Sequence, residues 1–496
     1  MKILKQTAFA VLTFSLFVSI NTGRAQNTSF NLSDYKNPKY FYHSLDVGFN
    51  LDNNLSRNHE KSSYESNSFQ SSLHSQVMAN YQQYANSARS QTEKNISINF
   101  GLGSSRNKYA NEQNESKFGS LSFADNLNLS GTKRFYNENQ YFFEVGGALA
   151  AFYQLNASSS KRFDSTGTAT LSQTSRSKTS NGNLSVSLFA GKGRIEQVQD
   201  ARLALYVLDD LKRLGKIQRE VSGEEVIQLA ELMTKLKYKR FFDNRLRKIA
   251  EITVIDSFMQ AKNFSGRADA AYFTTLNDNW LFLNNPARLS GQRFFAGIES
   301  AFVLNHHSYH NEVTIPSNEE ALYRNFSLSK NIFAVAGIIS EKPLNLKWQR
   351  SISFKAGIGV SQLAGNSQVL KPVEGEKVKT YTQGIPSTQV DAGIGFGYYP
   401  TSRTWLTANW WLLAGYEEQG EGTTAKDEQA TLDNFYLYSG PSIQAYYYLS
   451  ERLRLSFTIN GEFRFDKTDF LNSTLDTATS RWWNQSMHIA LSYNLF

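Results

Sequence analysis

From Leu453 to Phe465 every odd position except Gly461 is apolar: Leu453, Leu455, Phe457, Ile459, Phe463 and Phe465. The even positions carry Arg452, Arg454, Ser456, Thr458, Asn460, Glu462 and Arg464. Successive side chains of a strand point to opposite faces, so this segment has one apolar face and one polar, charged face. The same alternation returns at 41–51, 141–155, 390–398 and 435–449. About fourteen such segments are legible, near 40–52, 68–82, 92–104, 118–131, 140–156, 181–192, 293–309, 323–340, 348–364, 387–399, 403–417, 434–449, 451–466 and 484–496. Most supply the roughly 9–11 residues that a tilted strand needs to cross a bilayer.

The connections alternate too. Short ones lie around Tyr136–Gln140, Ser340–Leu346, Tyr399–Arg403 and Leu449–Arg452, while long polar ones fill 156–181, 365–386, 417–433 and 466–483. Short turns at one rim and long loops at the other predict an all-β transmembrane antiparallel β-barrel of about 14 strands. An even strand count returns both termini to the periplasmic side. The competing reading is a large soluble all-β protein, but a single sandwich domain has only about seven to nine strands. Trp405, Trp410, Trp411, Trp482 and Trp483 fall near strand ends, where girdle residues of a membrane interface belong.

Residues 194–262 break the period. Val198, Ala201, Ala204, Leu205, Leu208 and Leu211 have helical spacing, and Lys212 and Arg213 precede Gly215, a stop signal. Ser222 and Glu225 have capping-box spacing and open a second helix with Val226, Leu229, Ala230, Met233 and Leu236 on one face. A third is expected over about 242–260. The chain then divides into a signal peptide (1–25), a first half-barrel (26–193, about six strands), a helical periplasmic insertion (194–262) and a second half-barrel (263–496, about eight strands). A barrel of this size lies between the eight-stranded ones, filled by side chains, and open porins. The insertion is therefore expected below the barrel as a compact subdomain, so that deleting it would change conductance little.

Composition narrows the class. Lys2 and Lys5, the apolar run Ala8–Ile20 and the small residues Gly23 and Ala25 describe a secretory signal peptide. Removing Lys2, Lys5 and Arg24 lowers the formal charge of +8 by three, to +5. No later run is long and apolar enough for a spanning helix. The chain has 35 Phe, 25 Tyr and no cysteine, which excludes disulfides, thiolate metal sites and lipidated cysteine. Export makes nucleic acid an implausible partner.

Two resemblances add to this. The end Met487-His-Ile-Ala-Leu-Ser-Tyr-Asn-Leu-Phe496 looks like the C-terminal signal of Gram-negative outer-membrane barrels, which implies the barrel-assembly machinery as a partner during biogenesis. Phe496 falls out of phase with the apolar register of Met487, Ile489, Leu491, Tyr493 and Leu495. The runs RIEQVQDAR and RFFDNRLRKIAE resemble the helical insertion of uncharacterised Bacteroidetes-type outer-membrane proteins. That resemblance implies fold and location and brings no activity.

Candidate lumen-lining charges are Asp46, Glu144, Glu299, Lys355, Asp391, Arg454, Glu462 and Arg464. Charges of both signs are normal in a lumen, where they tune permeation. Lys235, Lys237, Lys239, Arg240, Arg245, Arg247 and Lys248 form a basic run against one acid, Asp243. It is either a solvated helix face or a patch for an anionic partner such as lipid head groups or a periplasmic protein. His306, His307 and His310 cluster, but solvated loop residues account for them better than a metal site. No phosphate loop or nucleophile motif is present, so neither an enzyme nor a cofactor is expected. Two functional readings follow: an outer-membrane channel or transport protein for an unidentified small solute, or a membrane scaffold whose insertion or loops engage a partner.

Overall fold

The computed structural model describes residues 30–61, 65–111, 113–217, 219–237, 244–264, 268–280, 288–315, 319–371, 378–381, 384–422, 430–450, 453–470 and 477–493. The signal-peptide segment, the insertion's 238–243 and the terminal Phe496 lie outside them. The strands are β1 (Tyr40–Lys61), β2 (Glu65–Ser87), β3 (Ser90–Asn111), β4 (Asn114–Tyr136), β5 (Tyr141–Asp164), β6 (Ala169–Gln197), β7 (Leu289–Ile315), β8 (Glu319–Pro343) and β9 (Trp348–Lys371). After the short β10 (Val378–Tyr381) come β11 (Ile385–Tyr398), β12 (Thr404–Gly422), β13 (Ala430–Tyr448), β14 (Leu453–Phe470) and β15 (Thr477–Tyr493). They form one 15-stranded antiparallel sheet in sequence order, except that β10 pairs only with β9 and β9 continues to β11.

The strands outrun the sequence reading. β6 has 29 residues and β7 has 27, far beyond what a bilayer requires. Most of the stretches expected as long loops are paired strand: β5 reaches Asp164, β9 reaches Lys371 and β14 reaches Phe470. The physical reason is that these extensions are polar on both faces. Backbone pairing continues there while the apolar period disappears.

The sheet is rolled. β3 and β11 are seven steps apart in the strand order, about 34 Å on a flat sheet at about 4.8 Å per step. Yet Glu93 of β3 and Gln389 of β11 line one cavity of about 560 Å³. The N-terminus agrees. A 3-10 helix, Leu32–Asp34, lies against β7 and β8. The link from Tyr35 to Tyr40 reaches about 18 Å at most, whereas β1 and β7 would be about 29 Å apart on a flat sheet. Among the described residues β1 and β15 are not hydrogen-bonded to each other.

The convex face is apolar. Phe100, Leu121, Leu184, Ile298, Ile332, Ile358 and Ile489 are each more than a third exposed on it. Tyr141, Phe143, Trp348 and Tyr447 are exposed near the short-turn end, and the Trp348 and Tyr398 rings lie 4.6 Å apart. Trp405 and Trp482 correct the girdle expectation: Trp405 is buried on the concave face and stacks on Tyr446 at 4.3 Å, and Trp482 shares that face with its cross-strand partner Arg464.

Among the described residues between β6 and β7 there are four helices: α1 (Gln199–Arg213), α2 (Gly223–Lys237), α3 (Asn244–Ala261) and α4 (Ala270–Trp280). The boundaries differ from 194–262 because β6 continues to Gln197 and α4 follows the expected end. α4 is only 11 residues long and buries Tyr272, Leu276, Asn279 and Trp280, too short a stripe to read from spacing. Leu208, Leu229, Met233, Ile255, Met259 and Tyr272 form the shared core. Phe30, Leu32 and Tyr35 join it from the N-terminal segment, and Tyr35 hydrogen-bonds Thr234 at 3.0 Å.

Candidate functional site: the polar concave face and its helical cap

The hairpin between β4 and β5 places Arg134 and Glu144 directly opposite each other, equidistant from Asn139 in the turn. The Arg134 guanidinium donates to the Glu144 carboxylate and, through Nη1, to Glu93 Oε1 at 3.0 Å. Arg293 of β7 reaches the same Glu144 carboxylate at 3.3 Å. Arg134 and Glu144 are nearly sealed from solvent, so each charge depends on the others for solvation. A second cluster lies beyond. Lys355 of β9 donates to Glu299 of β7 at 3.1 Å and lies 3.5 Å from Asp391, its cross-strand partner on β11. Toward the C-terminus Glu462 accepts from Arg464 at 3.1 Å, and the Arg464 guanidinium stacks over Tyr438 and Trp482 at 4.4 and 4.7 Å. Arg454 stacks over Tyr446 at 5.1 Å.

Seven of the eight candidate lumen charges thus lie on the concave face, but in four separate places, with Arg454 ten residues along β14 from Arg464. The side chain of Asp46 lies outside the described residues. Spacing alone missed Glu93, Arg134 and Arg293. Arg134 was recoverable from the symmetry of its hairpin, whereas Arg293 is tied to Glu144 only through the β5–β6–β7 neighbourhood.

Aromatic side chains on the concave face rest on glycines of the next strand. Built on the backbone, a Cβ at Gly191 would fall 2.7 Å from Phe142, at Gly297 2.7 Å from Phe189, at Gly337 2.6 Å from Phe295 and at Gly359 2.7 Å from Phe333. These four steps run from β5 to β9 and climb from Phe142, beside the short turns, to Phe333, which lines the cavity. Beside Phe333 the cavity is lined mainly by small and neutral groups, including Ser130, Thr132, Gly146, Ser187 and Asn331.

The helices cap the short-turn end. Arg194, on the last residues of β6, donates to Ala88 O, Ser87 O and Asn86 Oδ1 of the β2–β3 turn at 2.8–2.9 Å. Arg288 enters the β8–β9 turn and donates to the carbonyl of Leu346, to those of Asn345 at 2.5 Å and Trp348 at 2.6 Å, and to Gln349 Oε1 at 3.0 Å. Tyr206 of α1 donates to Tyr399 O in the β11–β12 turn at 2.6 Å, and Arg403 of that turn lies 3.5 Å from Asp278 of α4. The guanidinium groups of Arg202 and Arg288 each lie 5.1 Å from the Tyr399 ring. Burial first, and then the nearby Arg202 charge, lower the pKa of Arg288 to about 10. The helices themselves are held by the β11–β12 turn and by Leu346 of the β8–β9 turn, which packs on their core, while Arg194 and Arg288 brace the strand ends that lead into and out of them. α1 buries eleven of its fifteen residues, on every side, as a helix enclosed between bundle and rim must. These contacts tie the helical subdomain to the short-turn rim of the sheet.

The basic run gives less. Lys235 is exposed, Arg247 pairs with Glu251 at 2.7 Å and Lys248 is half-buried. The side chains of Lys237, Lys239, Arg240 and Arg245 lie outside the described residues. Of the histidines, His307 meets Thr179 Oγ1 at 3.1 Å and His310 meets Glu320 at 2.8 Å. Among the described residues no group of three side chains has a metal-binding arrangement.

No protein-family model and no curated protein matches the chain. Among solved structures it is similar to the translocator domain of the autotransporter NalP from Neisseria meningitidis, with 11% identity over 82% of this chain and 88% of that one, at a TM-score of 0.23. It is also similar to the transport unit of the autotransporter AIDA-I from Escherichia coli, with 10% identity over 82% of this chain and 90% of that one, at the same TM-score of 0.23. Scores of this size do not establish a shared fold.

Proposed function

We propose that this chain is an outer-membrane β-barrel, closed by pairing of β1 with β15, that passes a small polar solute along its concave face under control of the helical cap. The observation that carries this reading is the division of the rolled sheet into an exposed apolar convex face and a concave face bearing ion pairs. Exposed apolar surface on this scale belongs against lipid, and an unpaired sheet edge is not tolerated there. Fourteen strands lie on the continuous path, an even number, so the two edge strands run antiparallel and are competent to pair. Transport is favoured over catalysis by an interior in which the described acidic and basic side chains pair with one another across the strands. The cap favours a gated conduit over an open pore.

Fractionation and planar-bilayer recording test it. The mature protein is expected in the outer-membrane fraction, to run as a heat-modifiable band, and to conduct weakly until the helices spanning 199–280 are removed, when conductance rises severalfold. Recovery without detergent from the soluble periplasm refutes the membrane reading. A membrane barrel whose conductance is unchanged by the deletion refutes the cap.

A further inference from the structure

The convex face does not stay apolar to its far end. On β3 Phe100 and Leu102 are followed, on the same face, by Arg106 and Lys108. On β4 Leu121 gives way to Lys117, on β5 Tyr153 gives way to Lys161, and on β6 Leu184 gives way to Lys178 and Arg176. All six basic residues are exposed. Each has the same strand parity as the apolar residue it succeeds, so it points outward, away from the cavity. The change takes few residues: Lys117 lies four positions from Leu121, about 13 Å along the strand.

The register makes three of them a row. Lys108 is the direct cross-strand partner of Lys117, and Lys117 is the direct partner of Lys161. Like charges placed directly opposite on adjacent strands are destabilising. Glu115 answers part of this, at 2.8 Å from Lys108 and 3.2 Å from Lys117, and the Lys117 ammonium also sits over Phe163 at 4.9 Å. Among the described residues no carboxylate comes within 4.0 Å of Lys161, Arg106, Arg176 or Lys178. The fold thus keeps a net positive outward patch where its own pairing opposes one.

We propose that this patch, centred on Lys108, Lys117 and Lys161, binds the phosphate groups of an anionic lipid embedded beside the barrel. The inference rests on the membrane reading proposed above and adds a ligand site to it. Its height is the argument for a lipid: acyl chains lying against Phe100, Leu121 and Leu184 bring their head-group phosphates to the level of the lysine row. Flexible lysine stems can reach down to that level while keeping the ammonium in the polar zone. A soluble anion would have no use for the adjoining apolar band.

The test uses the full-length mature protein, purified in nonionic detergent and titrated with diphosphoryl lipid A, dephosphorylated lipid A or inorganic phosphate, with bound species counted by native mass spectrometry. Diphosphoryl lipid A is expected to bind at least tenfold more tightly than the dephosphorylated form, and inorganic phosphate only weakly. The triple variant Lys108→Gln/Lys117→Gln/Lys161→Gln is expected to lose at least tenfold in lipid A affinity, while Lys347→Gln, at the opposite end, does not. Without lipid the triple variant should melt no earlier than wild type, because the like-charge row is gone. Equal binding of the two lipid forms, phosphate binding as tight as lipid A, unchanged affinity in the triple variant, or early melting of that variant would each overturn the site. Detergent-free recovery of a soluble protein is a separate result and overturns the membrane reading itself.

Discussion

Tyr206 donates its hydroxyl hydrogen to the backbone carbonyl of Tyr399 at 2.6 Å, joining the first helix of the insertion to a strand turn 193 residues later. Both residues are buried, so neither group has water as a ready substitute. Tyr206→Phe keeps the ring and removes one hydrogen bond, worth about 1 kcal/mol, with a further cost for the unpaired carbonyl. The expected outcome is a cap that opens more often. Channel openings in planar bilayers should become several times more frequent, with the heat-modifiable barrel band unchanged. An open probability equal to wild type would show that this contact does not hold the cap.

Arg288 should matter more. It is fully buried and serves three backbone carbonyls and Gln349, with no carboxylate among these acceptors. Arg288→Met fills similar volume but strands several acceptors, each costing about 1–3 kcal/mol when buried without a partner. Limited proteolysis in detergent is expected to release fragments cut within 199–280 far faster than from wild type. Arg288→Lys should recover only part of the protection, because one ammonium cannot span the same fork of acceptors. Full protection in Arg288→Met would contradict the clamp.

How far the sequence was legible follows from where its signals live. Leu455, Phe463 and Ile489 alternate cleanly with polar neighbours, and the structure leaves them exposed together on the convex side. Ser222 and Glu225 were readable because a capping box is local; Ser222 Oγ accepts from Glu225 N at 3.3 Å and Ser222 N donates back to the carboxylate at 3.0 Å. The long strand extensions were not readable, because residues such as Ser172–Thr179 are polar on both faces. Arg194, Arg288 and Tyr206 were invisible as clamps. Each acts on backbone carbonyls whose position only the assembled sheet defines.

Glu225 gives a pH prediction. Its carboxylate accepts from Arg219 at 2.7 and 3.1 Å and from both donors of Ser222, and these bonds, the Arg219 pair foremost, hold its pKa down to about 2. A carboxylate depressed in the folded state contributes stability above its unfolded value, about 4.3, and that contribution is lost as pH falls toward 2. The melting temperature followed at 222 nm should fall across that window by more in wild type than in Glu225→Gln. Parallel pH profiles would show that the pair does not support the second helix.

Phe189 lies against Gly297 closely enough that any side chain there must displace it or the backbone beside it. A Cβ at Gly297 would fall 2.7 Å from the ring and 1.9 Å from Leu188 O. Gly297→Val is therefore expected to impair barrel assembly, seen as loss of the heat-modifiable band and an earlier melting temperature. Gly167→Ala is the comparison for glycine loss as such: its backbone φ of +80° strains a side chain, but nothing lies within 4 Å of it in its exposed turn. If Gly297→Val assembles as well as Gly167→Ala, the aromatic-on-glycine steps are not what orders the concave face.

Lys355 holds two acids of the concave face at once, Glu299 at 3.1 Å and Asp391 at 3.5 Å, from a half-exposed position. Lys355→Met keeps much of the stem and removes the charge, so the local balance moves from one net negative charge to two. Partial exposure lets water solvate the released carboxylates, and the sheet should fold normally. The effect belongs in permeation, because a lumen's fixed charge sets which ions concentrate inside it. In a cap-deleted background under a tenfold KCl gradient, Lys355→Met should move the reversal potential toward that of potassium. The double variant Lys355→Met/Glu299→Gln should move it back toward wild type. A reversal potential insensitive to both changes would mean that ions do not pass this cluster, and the conduction path along the concave face would have to be abandoned.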